Sequence, residues 1–197
     1  MKLIIGLGNP DAQYALTRHN FGFMALDYFQ KNQPVFSAWQ EKQKFEALLD
    51  EGEIEGEKII LAKPRTMMNL SGKTVKTLAD FYQIAPQDIV IIHDDMDLPL
   101  GALRLSQGSS AAGHKGVDSV IGNLGTKNFV RLRLGIHPLG QTFFTTFFRR
   151  LAFTKKFVLQ KFSHAELPLV EEAIKKANQA ILLILKDDLP KAQNQFN

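Results

Sequence analysis

The amino-acid sequence predicts an α/β sandwich on a mixed sheet. Short apolar runs of strand length alternate with stretches of helical spacing, and one pair of runs flanks a Glu/Gly turn. Of the 197 residues, 45% are apolar, enough for one sizeable core and few for two independent ones.

Each element has its own signal. Leu3, Ile4 and Ile5 form a short, fully apolar run and read as a buried strand. Phe21, Met24, Ala25 and Tyr28 then fall at i, i+3, i+4 and i+7, which predicts a helix. Residues 44–50 and 57–63 read as a hairpin, Leu70 to Ile84 as an amphipathic helix, and Ile89 to His93 as a second buried strand. Further strands are expected at Ala102 to Leu105 and Val130 to Ile136. Between them Val117, Val120, Ile121 and Leu124 have helical spacing. Leu167, Val170, Ile174, Ala177, Ile181 and Leu185 mark a longer C-terminal helix. No repeat, low-complexity linker or boundary interrupts the chain before residue 137, so one domain over 1–197 is expected.

Composition narrows the function classes. With no cysteine, the chain has no disulfide, thiolate zinc site or cysteine nucleophile, and its five scattered histidines show no HExxH-type spacing, so no metal site is expected. No apolar run approaches the length of a membrane span, and no secretory signal precedes the first strand, which predicts a cytoplasmic protein. Lys and Arg number 24 against 20 Asp and Glu, a net charge of +4 that suits a polyanionic partner without requiring one.

Four connections concentrate chemistry. The first, GLGNPDAQYALTRHNFGF from Gly6 to Phe23, places His19 at the mouth of a helix, where the positive end of the dipole favours neutral imidazole, a form able to accept a proton. A half-buried histidine and an N-cap at Asn20 are the plainer readings. Gly6 and Gly8 begin a dinucleotide-type fingerprint, but Asp11 replaces its third glycine and Pro10 stiffens the turn. The second connection, HDDMDLPLG, carries Asp94, Asp95 and Asp97 at a strand end. There an aspartate can orient His19, although a metal cluster or, more readily in the absence of a second acidic cluster, a solvated acidic turn is the alternative. In the third, KPRTMMNLSG, Asn69 either caps a helix, with Ser71 as rival cap, or donates to a carbonyl or oxyanion. The fourth, SSAAGHKG, opens another helix and suits close backbone approach or phosphate contact.

Taken together, GLGNP…Y…TRHN, MNLSGK, HDDMDLPLG, GHKG and FVRLRLGI resemble bacterial peptidyl-tRNA hydrolase in order and spacing. The resemblance covers most of residues 1–136. It implies a single-domain, three-layer α/β/α sandwich on a mixed, mostly parallel twisted sheet. It also implies a monomeric, cofactor-free esterase cleaving the bond between a peptide and the 3′ end of tRNA. His19 then matches the catalytic base and Asp94 its partner, while Asn9 and Asn69 match the asparagines holding the peptide backbone. Tyr14, Met67, Met68 and Lys115 match contacts to substrate, and His114 a further histidine of the cleft. A non-catalytic RNA-binding adaptor on the same scaffold is the alternative.

The chain departs from the family pattern in three places. Asp11 stands where a glycine is usual, and Lys115 replaces an asparagine with a point charge. A Phe-rich, basic segment at about 138–162 looks longer than the family norm, where a mobile flap is expected. Its phenylalanines either pack on the core or, with Arg149, Arg150, Lys155 and Lys156, form a lid for the acceptor end.

Overall fold

A computed structural model describes residues 1–138, 156–186 and 188–197. Seven strands form one sheet: β1 (Lys2–Gly6), β2 (Gln40–Lys42), β3 (Ala47–Ile54), β4 (Glu57–Pro64), β5 (Ile89–Pro99), β6 (Leu103–Gln107) and β7 (Val130–His137). Their order is β2-β3-β4-β1-β5-β7-β6. The central strands β4, β1, β5 and β7 run parallel, and β3 and β6 are antiparallel to their neighbours.

Alternation along the strands builds two cores. Ile4, Ile59, Leu61, Val90, Ile92, Leu132 and Leu134 point to one face, where they meet α1 (Phe21–Asn32), α4 (Leu167–Leu185) and α5 (Leu189–Phe196). Leu3, Ile5, Ile60, Ala62, Ile89 and Ile91 point to the other, against α2 (Ser71–Tyr82) and α3 (Lys115–Leu124). Parallel strands covered on both faces must be apolar on both, which explains the unbroken Leu3-Ile4-Ile5 and Ile89–Ile92 runs. This is the three-layer α/β/α arrangement.

Connectivity creates the site. The chain leaves β1 through α1 toward the β2–β4 side and returns through α2, on the opposite face, to β5 on the other flank of β1. Diverging connections at adjacent carboxyl ends open a crevice at that topological switch. Loop Leu7–Thr17 and the far half of β5 border it.

Several boundaries differ from expectation. The hairpin begins at Ala47 because Gln43–Phe45 forms a 3-10 turn ended by left-handed Glu46, and its tight turn uses Glu55 and Gly56 at φ 50° and 82°. HDDMDLP is strand rather than loop: β5 continues to Pro99, with Asp94 opposite Leu134 and Asp95 opposite Gly135. Ion pairs and hydrogen bonds make that acidic stretch tolerable in a strand. After α4 a second C-terminal helix, α5, is capped by Asp188, whose Oδ1 accepts from Lys191 N at 3.1 Å. The expected Phe-rich flap lies largely outside the described residues. Within them, Phe157 and Phe162 pack on the α1 side of the core.

Candidate active site

β1 ends at Gly6, and one further ladder bond, Leu7 N to Ile92 O at 2.9 Å, holds the chain beside β5 before it turns away. It returns through a 3-10 turn, Arg18–Asn20, that runs directly into α1. Close packing of the α1 start on the strand ends requires Gly22. A Cβ there would strike Ile92 O and lie 2.7 Å from both Leu7 N and Leu7 O. Arg18 and Asn20 are buried, so the intervening His19 faces the crevice.

His19 Nδ1 lies 2.8 Å from Asp94 Oδ1, and His114 Nε2 lies 3.0 Å from the same oxygen. The tautomers follow from the partners. His114 is the N-cap of α3, and its Nδ1 accepts from Val117 N at 3.2 Å, so its Nε2 carries the proton donated to Asp94. Both nitrogens of His114 are committed. His19 donates through Nδ1, which leaves Nε2 as the one imidazole nitrogen of the pair free to accept a proton.

The electrostatics run differently from the helix-terminus expectation. Burial works against a charged His19, but the Asp94 charge and hydrogen bond outweigh it, so the pKa rises above the ordinary 6.5, and Lys115 pulls it partly back. For Asp94 burial favours the acid, yet the two histidines hold the carboxyl far below the usual carboxylate range. His93, fully enclosed, is pushed well below the ordinary histidine value, first by burial and then by His114. Its Nδ1 donates to Asp94 O at 2.7 Å, and its ring lies 4.7 Å from that of His114.

Ligand atoms of His19, Asp94 and His114 lie within 4.8 Å of one another, as they would around a metal ion. The donor set fits a cation poorly. A metal on His114 Nε2 would shift the ring proton to Nδ1 and set it against the Val117 N–H.

A second cluster flanks the first. Asn9 N donates to Asn20 Oδ1 and Asn20 Nδ2 donates to Asn9 O, both at 2.9 Å. Met68 N donates to Asn9 Oδ1 at 3.0 Å, which fixes the amide orientation and leaves Nδ2 without a partner among the described residues. Asn20 thus occupies the N-cap position of α1 as expected, but its side chain ties loop to turn instead of bonding the helix, a role its sequence position did not signal. Neither proposed cap of α2 acts as one: Leu70 occupies the N-cap and Ser71 Oγ is buried without a partner among the described residues. Asn69 stands exposed on the 3-10 turn Met68–Leu70.

The remaining predicted positions divide. Met67 is exposed, whereas Met68 is buried beneath α3, close enough that a Cβ on Gly116 would come 2.5 Å from its sulfur. Tyr14 is half-buried on the turn before His19, and Lys115 is exposed in the first turn of α3. Sequence reasoning missed Arg18, which pairs with Glu166, and Arg133, whose Nε meets Asp95 Oδ2 at 2.6 Å. Charge partners so far apart along the chain leave no local signal.

The sequence model of the peptidyl-tRNA hydrolase family matches residues 3–197. The chain is 44% identical over 197 residues to the peptidyl-tRNA hydrolase of Desulfitobacterium hafniense, with 100% of both chains covered. It is 42% identical over 196 residues to that of Synechocystis sp., covering 100% of this chain and 95% of the relative. The crystal structure of peptidyl-tRNA hydrolase from Acinetobacter baumannii superposes with a TM-score of 0.87 at 36% identity, covering 100% of this chain and 94% of that one. A chain with this fold, matched over its length by the family, belongs to the peptidyl-tRNA hydrolases.

Proposed function

We propose that the crevice hydrolyses the ester between a peptide and the 3′ ribose of tRNA, with His19 as general base. The observation that carries this reading is the 2.8 Å His19 Nδ1–Asp94 Oδ1 bond, which leaves Nε2 to take a proton from water. The resulting hydroxide attacks the ester carbonyl. Asp94 stabilises the imidazolium that forms, and the Nε2 proton then passes to the departing ribose 3′ oxygen. Asn9 Nδ2, oriented by Met68 N, donates to a carbonyl of the substrate, and exposed Asn69 adds a second amide.

The same amide accounts for selectivity. An N-blocked residue presents an amide carbonyl to Asn9 Nδ2, whereas a free α-ammonium brings only donors. Lys115 grips phosphate near the acceptor end, and Tyr14 and Met67 line the approach. No helix among the described residues is long and apolar enough to cross a membrane. A cytoplasmic enzyme working as a monomer is the setting this reading adopts. The test is release of N-acetylaminoacyl groups from tRNA by the purified protein. Hydrolysis by wild type that His19→Ala abolishes supports the assignment, and equal rates for the two proteins overturn it.

A further inference from the structure

Arg18 adjoins His19 on the same 3-10 turn. Its side chain is nearly buried, and Nε and Nη1 find no hydrogen-bond partner among the described residues. Its only charge partner there is distant in sequence: Nη2 donates to both Glu166 oxygens at 2.9 Å. Two rings enclose the guanidinium, Phe157 at 4.5 Å and Phe162 at 4.8 Å from Cζ to centroid. A buried charge left partly unsatisfied is costly, and an apolar residue of similar volume would fill the space without that cost. A cation placed here calls for a role beyond packing.

Position supplies the role. Arg18 and Asn20 flank His19 on one 3-10 turn, and each fixes a different end of it. Asn20 bonds reciprocally to Asn9. On the other side, Arg18 N donates to Gln160 O at 2.9 Å, Thr17 bridges to Lys161, and Phe162 packs on Phe21 at 5.1 Å. Glu166 is itself held, its Oε2 accepting from Ser163 N and Oγ at 2.8 Å each, at the N-cap of α4. The α4 start is thus a fixed anchor, and among the described residues Arg18 is the one side chain linking it by a charged bond to the turn that aims His19.

We propose that Glu166, acting through Arg18, is a positioning residue for His19. The pair sets the tilt of the 3-10 turn and so the direction of the imidazole toward Asp94 and the ester. This rests on His19 being the base. A rigid anchor on the segment 157–166 makes base alignment depend on how that segment docks.

Glu166→Gln, which keeps shape and removes charge, is compared with wild type at a temperature where circular dichroism shows both folded. Activity on N-acetylaminoacyl-tRNA is measured along with the downfield proton resonance of His19 Nδ1. We expect kcat to fall on the order of tenfold with KM unchanged, the size of effect a sub-ångström misalignment of the base produces. The resonance should shift or broaden, and Glu166→Asp should restore part of the rate. The double variant His19→Ala/Glu166→Gln should be no slower than His19→Ala alone. A lowered melting temperature with wild-type kcat and an unmoved resonance overturns the proposal, as do losses that multiply in the double variant. If His19→Ala turns over like wild type, the base assignment itself fails, and the resonance alone then decides whether Glu166 positions the ring.

Discussion

Asp94 accepts two imidazole N–H groups on one oxygen, and the second histidine decides what the first can do. Because Val117 N and Asp94 occupy both nitrogens of His114, that ring is locked as donor and His19 alone can take a proton. His19→Ala should therefore remove hydrolysis almost wholly while tRNA affinity and the melting curve stay near wild type. Asp94→Asn should slow kcat on the order of a thousandfold or more, through loss of the correct tautomer and of charge stabilisation. The pH profile gives an independent check. His19 has a raised pKa and, as the proposed base, must be deprotonated to act, so kcat/KM should rise through a limb centred above 6.5. In Asp94→Asn the carboxylate that raises it is gone while burial remains, so the limb should move to lower pH. An acid limb that stays in place would detach the rate-limiting base from the Asp94 pair. For Asn9→Asp, Met68 N can still be satisfied, but the donor becomes an acceptor facing the substrate carbonyl. Peptidyl-tRNA activity should fall and the preference over aminoacyl-tRNA should shrink. An unchanged ratio of kcat/KM for the two substrates would remove Asn9 from selectivity.

At the level of elements, the proposed function makes the first turn of α3 unite base alignment and substrate grip. His114 caps that helix and Lys115 opens it, so the helix that holds Asp94 also presents a cation at the crevice. Lys115→Asn should raise KM at moderate salt and flatten the dependence of tRNA affinity on salt by about one counterion. Parallel salt lines for variant and wild type would place the lysine outside the tRNA contact. How far such arrangements were legible in the sequence depends on the range of the forces involved. His19 at a helix mouth, the α3 opening after SSAAGHKG and the apolar central strands are local signals, and they hold. HDDMDLP looked like a loop because carboxylates are poor strand formers. It is strand because His19, His114 and Arg133, brought from elsewhere in the chain, satisfy Asp94 and Asp95. Asn20 does stand at the N-cap of α1, but the use of its side chain is hidden for the same reason: its partner Asn9 lies eleven residues back across a loop. Helix α5 was hidden because only Ala192 is fully buried on it, too narrow a stripe for periodicity to reveal.

Across the whole molecule, the proposed catalytic crevice and the protected margin occupy different parts of the sheet. The crevice opens at the carboxyl ends of the central strands, whereas β6 forms one margin, where unpaired backbone groups invite association. Asn197 covers part of that margin as a strand would, its Oδ1 accepting from Leu105 N at 2.6 Å and its Nδ2 donating to Leu105 O at 3.0 Å. Helix α5 brings it there, packing Ala192, Leu189 and Phe196 against the core on the α1 and α4 face, away from α3 and His114. Ending the chain at Lys186 should consequently cost about 2–4 kcal/mol, the burial of one or two apolar side chains and their neighbours. It should also expose Leu105 and produce concentration-dependent association on gel filtration. At low temperature and low concentration kcat on N-acetylaminoacyl-tRNA should match wild type, because no group near His19 belongs to α5. A truncated protein that stays monodisperse and melts at the wild-type temperature would show that α5 does not guard the edge. One that is monodisperse but inactive would mean that the margin and the crevice are coupled through the sheet.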